Sequence, residues 1–287
     1  MQLGIFAKTF DGNSPGTVLP QVKAAGFTVA QYNMACSGLA AMPDKISAKT
    51  INEIAASSKD VPLVALSATY NMIHPDASER EKGHRRLRAV AQAAQTLGIP
   101  TITLCTGSRD ATDQWKHHPD NSSSSAWRDL VDSMQQAIII ADHYNINLGI
   151  EPELANVINS ATKARQLLDE LKSPRLKIIF DPANLFETEP VAEQRRIISN
   201  AINLLSTDIT MAHAKDRSAS GDFVVAGTGV MDYPHFLSEL KQSGFDGPIV
   251  THGLSAAEAP MVCNFLQALL PKNLISPSGS FSRGEAT

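Results

Sequence analysis

Glu151, Asp181, His213 and His252 each close a short apolar run in the second half of the chain. The runs are Leu148-Gly149-Ile150, Ile178-Ile179-Phe180, Ile209-Thr210-Met211-Ala212 and Ile249-Val250-Thr251. Two carboxylates and two imidazoles meeting at one point would bind a single divalent metal ion. Mn²⁺, Zn²⁺, Co²⁺ or Fe²⁺ suit such a donor set better than Mg²⁺, which prefers oxygen shells. Taken singly, none of these residues is decisive. An acidic residue after a strand can cap a helix, Asp before Pro starts turns, and a histidine behind a buried strand often bonds a carbonyl. The weight lies in four of them recurring 30, 32 and 39 positions apart, close to one strand-plus-helix unit.

That spacing asks for elements able to bring strand ends together. Strand-like runs fall near 3–9, 28–34, 62–70, 100–106, 147–152, 176–182, 209–214 and 248–253, and helical patterns separate them. From Ser78 to Leu97, one helical face carries Leu87, Val90, Ala91, Ala94 and Leu97. Ser122–Tyr144 and Ser160–Leu171 behave similarly. Gly26, Gly98 and Gly244 stand where helices should stop before the next strand. Eight βα units with right-handed crossovers predict an α/β fold, a single-domain (β/α)₈ TIM barrel, whose active sites lie at the C-terminal strand ends. An open doubly wound sheet would usually carry a glycine-rich phosphate loop after its first strand. The segment Phe10-Asp11-Gly12-Asn13-Ser14-Pro15-Gly16 has no such motif. We place the barrel at residues 1–272 and a flexible tail at 273–287.

Two loops exceed what packing needs, and both fall on the expected active-site face. Thr106–Ser125 contains Arg109 and Trp115, whereas Asp216–Tyr233 contains Gly221, Gly227 and Gly229, with Phe223-Val224-Val225 predicting a small hairpin.

The net charge of −4 and pI near 6.1 exclude a basic nucleic-acid-binding face or a binder of anionic membranes. No run approaches the roughly 18 apolar residues of a membrane span. Cys36, Cys105 and Cys263 lie far apart without CxxC spacing, so reduced thiols in a cytoplasmic enzyme are expected. The strand-like start Leu3-Gly4-Ile5-Phe6 leaves no room for a signal peptide.

The sequence resembles the sugar phosphate isomerase/epimerase family, the xylose-isomerase-like TIM barrels. The resemblance is carried by Gly149-Ile150-Glu151-Pro152-Glu153, Phe180-Asp181-Pro182-Ala183-Asn184, His213-Ala214-Lys215-Asp216 and Gly227-Thr228-Gly229-Val230-Met231-Asp232-Tyr233-Pro234. It implies one divalent metal held by Glu, Asp, His and a final Glu, the first three falling on Glu151, Asp181 and His213. His252 stands where the family usually has the last glutamate, so an epimerisation between two carboxylates is put in doubt. An imidazole can still ligate the metal and act as a base near pH 7.

The implied reaction is isomerisation or epimerisation of a small sugar, sugar acid or sugar phosphate through a metal-stabilised enediolate, with Glu151 and His252 as bases. Asn71, His74, Arg109, Trp115, Asn184 and Lys215 are candidate substrate contacts, as are Gln31 and Asn33. Asp216 is a candidate partner that orients His213, and Glu153 is a spare carboxylate. The expected partner is a carbohydrate, not nucleic acid or membrane, and dimers or tetramers are usual in the resembled family. The competing readings are a sugar-binding barrel without turnover, a lyase or hydratase on an oxidised sugar, and an endonuclease-like phosphodiesterase. The last would need more histidines than strand ends two and three supply.

Overall fold

The computed structural model describes residues 1–270; the tail proposed at 273–287 and its boundary with the barrel lie outside the described residues. Apolar strand runs and amphipathic helices alternate as the sequence periodicity predicts. The strands are β1 (Gln2–Phe6), β2 (Val29–Tyr32), β3 (Leu63–Ser67), β4 (Thr101–Leu104), β5 (Asn147–Ile150), β6 (Leu176–Phe180) and β7 (Ile209–Ala214). A two-residue pair follows, β8 (Asp216–Arg217) with β9 (Phe223–Val224), and then β10 (Pro248–Thr251). The eight long strands close into a parallel barrel in which β1 pairs with both β2 and β10. Helices α1 (Pro15–Ala24), α2 (Ala48–Ser57), α3 (Ala77–Leu97), α4 (Ser124–Tyr144), α5 (Ala161–Leu171), α6 (Val191–Leu205), α7 (Tyr233–Gln242) and α8 (Ala259–Leu269) intervene in chain order.

Local chemistry explains the helix limits. Asp76 caps α3 by accepting from the Ser78 N–H, and Gly98 ends it at φ 68, a left-handed conformation that glycine adopts without a Cβ clash. Leu87, Val90, Ala91 and Ala94 form the buried stripe of α3. Ser123 caps α4 through the Ala126 N–H, and Ala126, Leu130, Met134, Ala137 and Ala141 bury its inner face at helical spacing.

Inside the barrel, Ala65, Ile179, Met211 and Val250 pack as one small buried cluster. Gly149 of β5 leaves room beside it, because an added Cβ would lie 2.4 Å from Ile179 Cδ1. Side chains along a strand alternate faces with period two. Two residues beyond Gly149, Ile179, Met211 and Val250, on the same inward face, stand Glu151, Asp181, His213 and His252. The core layer therefore positions the polar layer above it.

The strands end earlier than the hydrophobic runs suggest. After β1 the chain turns into a 3₁₀ segment at Ala7–Thr9, and after β6 into another at Pro182–Asn184. Apolar residues in these turns stay buried without joining the ladder. A cavity of about 1260 Å³ opens at the opposite, N-terminal end of the strands, lined by Gln2, Thr28, Val64, Thr101, Met211 and Pro248. None of the four candidate ligands lines it. Among the described residues, no helix is long and apolar enough to cross a membrane.

Candidate metal centre

Glu151 and Asp181 stand one residue past β5 and β6, His213 lies within β7, and His252 stands one residue past β10. One ligand atom from each lies within 4.8 Å of every other. His213 Nδ1 is 3.1 Å from Glu151 Oε1 and 4.0 Å from Asp181 Oδ2, and His252 Nε2 is 3.6 Å from the same Asp181 oxygen. Donors bonded at about 2.0–2.2 Å to one cation stand roughly 3–4.4 Å apart, so these separations suit a shared ion. Asp181 Oδ2 and His252 Nε2 are buried and make no hydrogen bond. Buried polar atoms are normally paired, and a cation between them would satisfy both. The donor set and its two orphaned atoms fit a divalent metal.

The surrounding contacts orient these atoms. Asp181 Oδ1 accepts the Ala183 N–H at 3.0 Å, which turns Oδ2 into the cluster. Asn184 donates its amide to Glu151 Oε1 at 2.8 Å and accepts from Lys215 Nζ at 2.7 Å. His213 Nε2 is 2.9 Å from Gln31 Oε1, and Gln31 in turn donates to Thr103 Oγ1 at 3.2 Å. Because the amide oxygen only accepts, Nε2 carries the proton and Nδ1 keeps its lone pair toward the carboxylates. The His213 and His252 rings meet edge to face, with centroids 4.5 Å apart.

Electrostatics keep the carboxylates ionised despite their surroundings. Burial works to raise Glu151, but His213 and Lys215 outweigh it and hold the carboxyl below its ordinary value. Burial also opposes ionisation of Asp181, and Lys215, His252 and His213 together hold it far below the usual carboxylate range. Burial, with the neighbouring His213, lowers His252 and favours the neutral ring that can donate a lone pair. Lys215 is raised: burial disfavours its charge, but Asp181, Glu151 and Glu153 more than compensate. Glu153 is pushed up to about 7, chiefly by burial.

The remaining sequence candidates take different places. Asn184 and Lys215 adjoin the cluster. Asn71, His74 and Arg109 instead tie the loop after β3 to the loop after β4. Asn71 donates to the Ser108 and Asp110 carbonyls and accepts from the Ser108 N–H. His74 Nε2 lies 3.0 Å from the Ala111 carbonyl, and its Nδ1 accepts the Asp76 N–H. Arg109 donates to the Ile73 carbonyl and pairs with Asp129 at 2.6 Å, so its guanidinium is committed to the protein. Trp115 is 46% exposed, and Asn33 caps its own 3₁₀ turn through the Ala35 N–H.

Asp216, expected to orient His213, does other work. Its carboxylate accepts the backbone N–H groups of Arg217, Gly227, Gly229 and Met231, folding the loop after β7 around itself. Gly229 is needed there, because a Cβ would lie 2.4 Å from Asp216 Oδ1 and 2.2 Å from the Arg217 carbonyl. The predicted hairpin forms as β8 against β9, and Phe223 on it covers Lys215 and Arg217. Their cationic groups lie 4.1 and 3.9 Å from the ring centroid. Sequence spacing pointed to Gln31 only as a substrate contact. Its inward position two residues after Val29 is the signal that would have placed it beside His213.

A family model for xylose isomerase-like TIM barrels matches residues 19–262, and the chain belongs to that family. Among its relatives, L-ribulose-5-phosphate 3-epimerase of Shigella flexneri serotype 5b (strain 8401) is 26% identical over 234 residues, covering 77% of this chain and 76% of that protein. The apo structure of 3-keto-D-glucoside 4-epimerase from E. coli matches with a TM-score of 0.74 at 16% identity, over 93% of this chain and 99% of that one. The zinc-bound IOLI protein matches with a TM-score of 0.71 at 15% identity, over 93% of this chain and 97% of that one. At such identities these two structures speak for the fold.

Proposed function

We propose that this chain is a divalent-metal-dependent isomerase or epimerase acting on a small keto-sugar, sugar acid or sugar phosphate. The observation that carries the reading is the convergence of Glu151, Asp181, His213 and His252 at the barrel mouth, with Asp181 Oδ2 and His252 Nε2 buried without a hydrogen-bond partner. The epimerase relative and the zinc in a protein of the same fold support it. A divalent ion held there would polarise a substrate carbonyl beside a hydroxyl and stabilise the enediolate formed when the intervening proton leaves. With two imidazoles among the donors, Mn²⁺, Zn²⁺, Co²⁺ and Fe²⁺ are favoured over Mg²⁺.

The protein's own residues supply the proton chemistry. Glu151 Oε1 accepts from Asn184 and faces His213 Nδ1 at 3.1 Å, and among the described residues no hydrogen bond reaches Oε2. Oε2 is therefore the atom free to take a proton from the substrate carbon. His252, 23% exposed at its side chain, replaces the glutamate usual in the family; its neutral ring has one lone pair, so it serves as the second base only when that lone pair is released from the metal. Return of the proton to the neighbouring carbon gives isomerisation, and return to the opposite face of the same carbon gives epimerisation. The Lys215 ammonium offers a fixed positive charge to a substrate oxygen as negative charge develops. All three cysteines are free and buried, which agrees with work in the reducing cytoplasm.

The test is solvent-deuterium exchange by metal-loaded protein across ketoses, their acids and their phosphates, with metal content measured alongside. About one equivalent of metal per chain and deuterium next to the substrate carbonyl are expected. Glu151→Gln and His213→Ala should lose both. Wild-type exchange by either variant would remove the site assignment.

A further inference from the structure

Lys215 continues the inward column of β7, two residues beyond His213, so its ammonium enters the space of the four ligands. It lies 3.1 Å from Asp181 Oδ2, the oxygen that also faces His213 and His252. That approach lacks hydrogen-bond alignment, since the same oxygen has no hydrogen-bonding partner. The ammonium is held there by its other contacts. It donates to Asn184 Oδ1 at 2.7 Å and lies over the Phe223 ring at 4.1 Å, while Tyr233 Oη donates to the Lys215 carbonyl at 2.7 Å. With its side chain only 10% exposed, the group has little water to retreat into. Phe223 is itself 48% exposed, a position for an aromatic ring that core packing does not explain.

We infer that Lys215, clamped by Asn184 and Phe223, is a built-in competitor for Asp181 that weakens divalent-metal binding while keeping a second positive charge in the site. Like charges at contact range repel strongly in a water-poor site. An ammonium pinned on a ligand oxygen therefore opposes a divalent ion seeking that oxygen, whereas a mobile one would swing away. This rests on the metal-centre reading above and adds an order of affinities to it. The opposite role, in which Lys215 merely aligns Asp181 and Asn184 for the metal, predicts the reverse order.

The experiment is calorimetric titration of the full chain with Co²⁺ alone at neutral pH, comparing wild type with K215M, K215R and F223L. We expect K215M to bind Co²⁺ at least about tenfold more tightly than wild type. K215R keeps the charge and should not gain affinity. F223L keeps the lysine but releases the clamp, and should shift the same way as K215M by a smaller factor; it also provides the reading if K215M fails to fold. Equal or weaker Co²⁺ binding by K215M, or by F223L in its place, overturns the inference. Failure of the enediolate reading would show differently, as wild-type protein that binds Co²⁺ yet exchanges no solvent deuterium. The affinity order would then still stand.

Discussion

Replacing Gln31 with leucine tests whether His213 is a prepared ligand or a buried histidine at rest. Gln31 is 5% exposed and accepts from His213 Nε2 at 2.9 Å, its own amide being anchored on Thr103. Leucine fills similar space but accepts nothing. Two consequences follow for Gln31→Leu. Without metal, a buried N–H loses its acceptor, which costs about 1–3 kcal/mol of stability. The imidazole can recover part of that by moving its proton to Nδ1 and donating to Glu151 Oε1, 3.1 Å away. That tautomer removes the lone pair a metal needs, so affinity for Co²⁺ or Zn²⁺ should fall by roughly 10–100-fold. Calorimetric titration with Co²⁺ measures the affinity, and urea unfolding of the metal-free protein measures the stability. Gln31→Glu, which keeps an acceptor, should retain most of the binding. Metal affinity within twofold of wild type for Gln31→Leu would refute the reasoning, because the proton on His213 would then be set by something else.

Other perturbations read different parts of the molecule. Gly149→Ala places a methyl 2.4 Å from Ile179 Cδ1 in the barrel core and should cost about 1–3 kcal/mol by overpacking; an unchanged urea midpoint would contradict the packing described. Burial works to raise Asp208, but hydrogen bonds from Arg165 and Lys177 at 2.9 and 3.3 Å outweigh it and lower the carboxyl. Its stabilisation is therefore present above the ordinary carboxylate range and lost as pH falls through the folded-state value. Asp208→Asn should cost up to about 1 kcal/mol near neutrality, with the difference from wild type vanishing in acid, as thermal melts across pH would reveal. Stripping metal with a chelator should lower the melting temperature of loaded wild-type protein by mass action and leave His213→Ala unmoved.

The barrel was legible because each of its layers writes a period into the sequence. Helix α3 shows it through Leu87, Val90, Ala91 and Ala94, and the ligand column shows it through apolar runs that each stop at a titratable residue. Strand ends were overextended, since Ala68, Cys105 and Thr106 are as buried as ladder residues yet lie beyond β3 and β4. Hydrophobicity reports burial and is blind to which carbonyl a given N–H meets. The roles of Asn71, Arg109 and Asp216 were hidden for a related reason. Asn71 and Arg109 act through loop contacts between residues 36–39 positions apart, which leave no periodic trace. Asp216 satisfies backbone groups up to 15 positions downstream, and the Gly227-Thr228-Gly229 sequence was its only outward sign. The contact between Phe223 and Lys215 depends on how the hairpin folds back, which side-chain types alone do not encode.

Pairing of Gln2–Ile5 with Pro248–Thr251 sets a schedule for biosynthesis. On the ribosome, one flank of the first strand must wait for a segment made almost 250 residues later, a delay on the order of tens of seconds at ordinary elongation rates. During that interval its N–H and C=O groups form an open template for any other extended chain. Assembly of this sheet is thus tied to contacts that are distant in sequence and slow to form. Protection from self-association while the nascent chain lengthens then becomes a requirement that the finished, seamless barrel no longer displays.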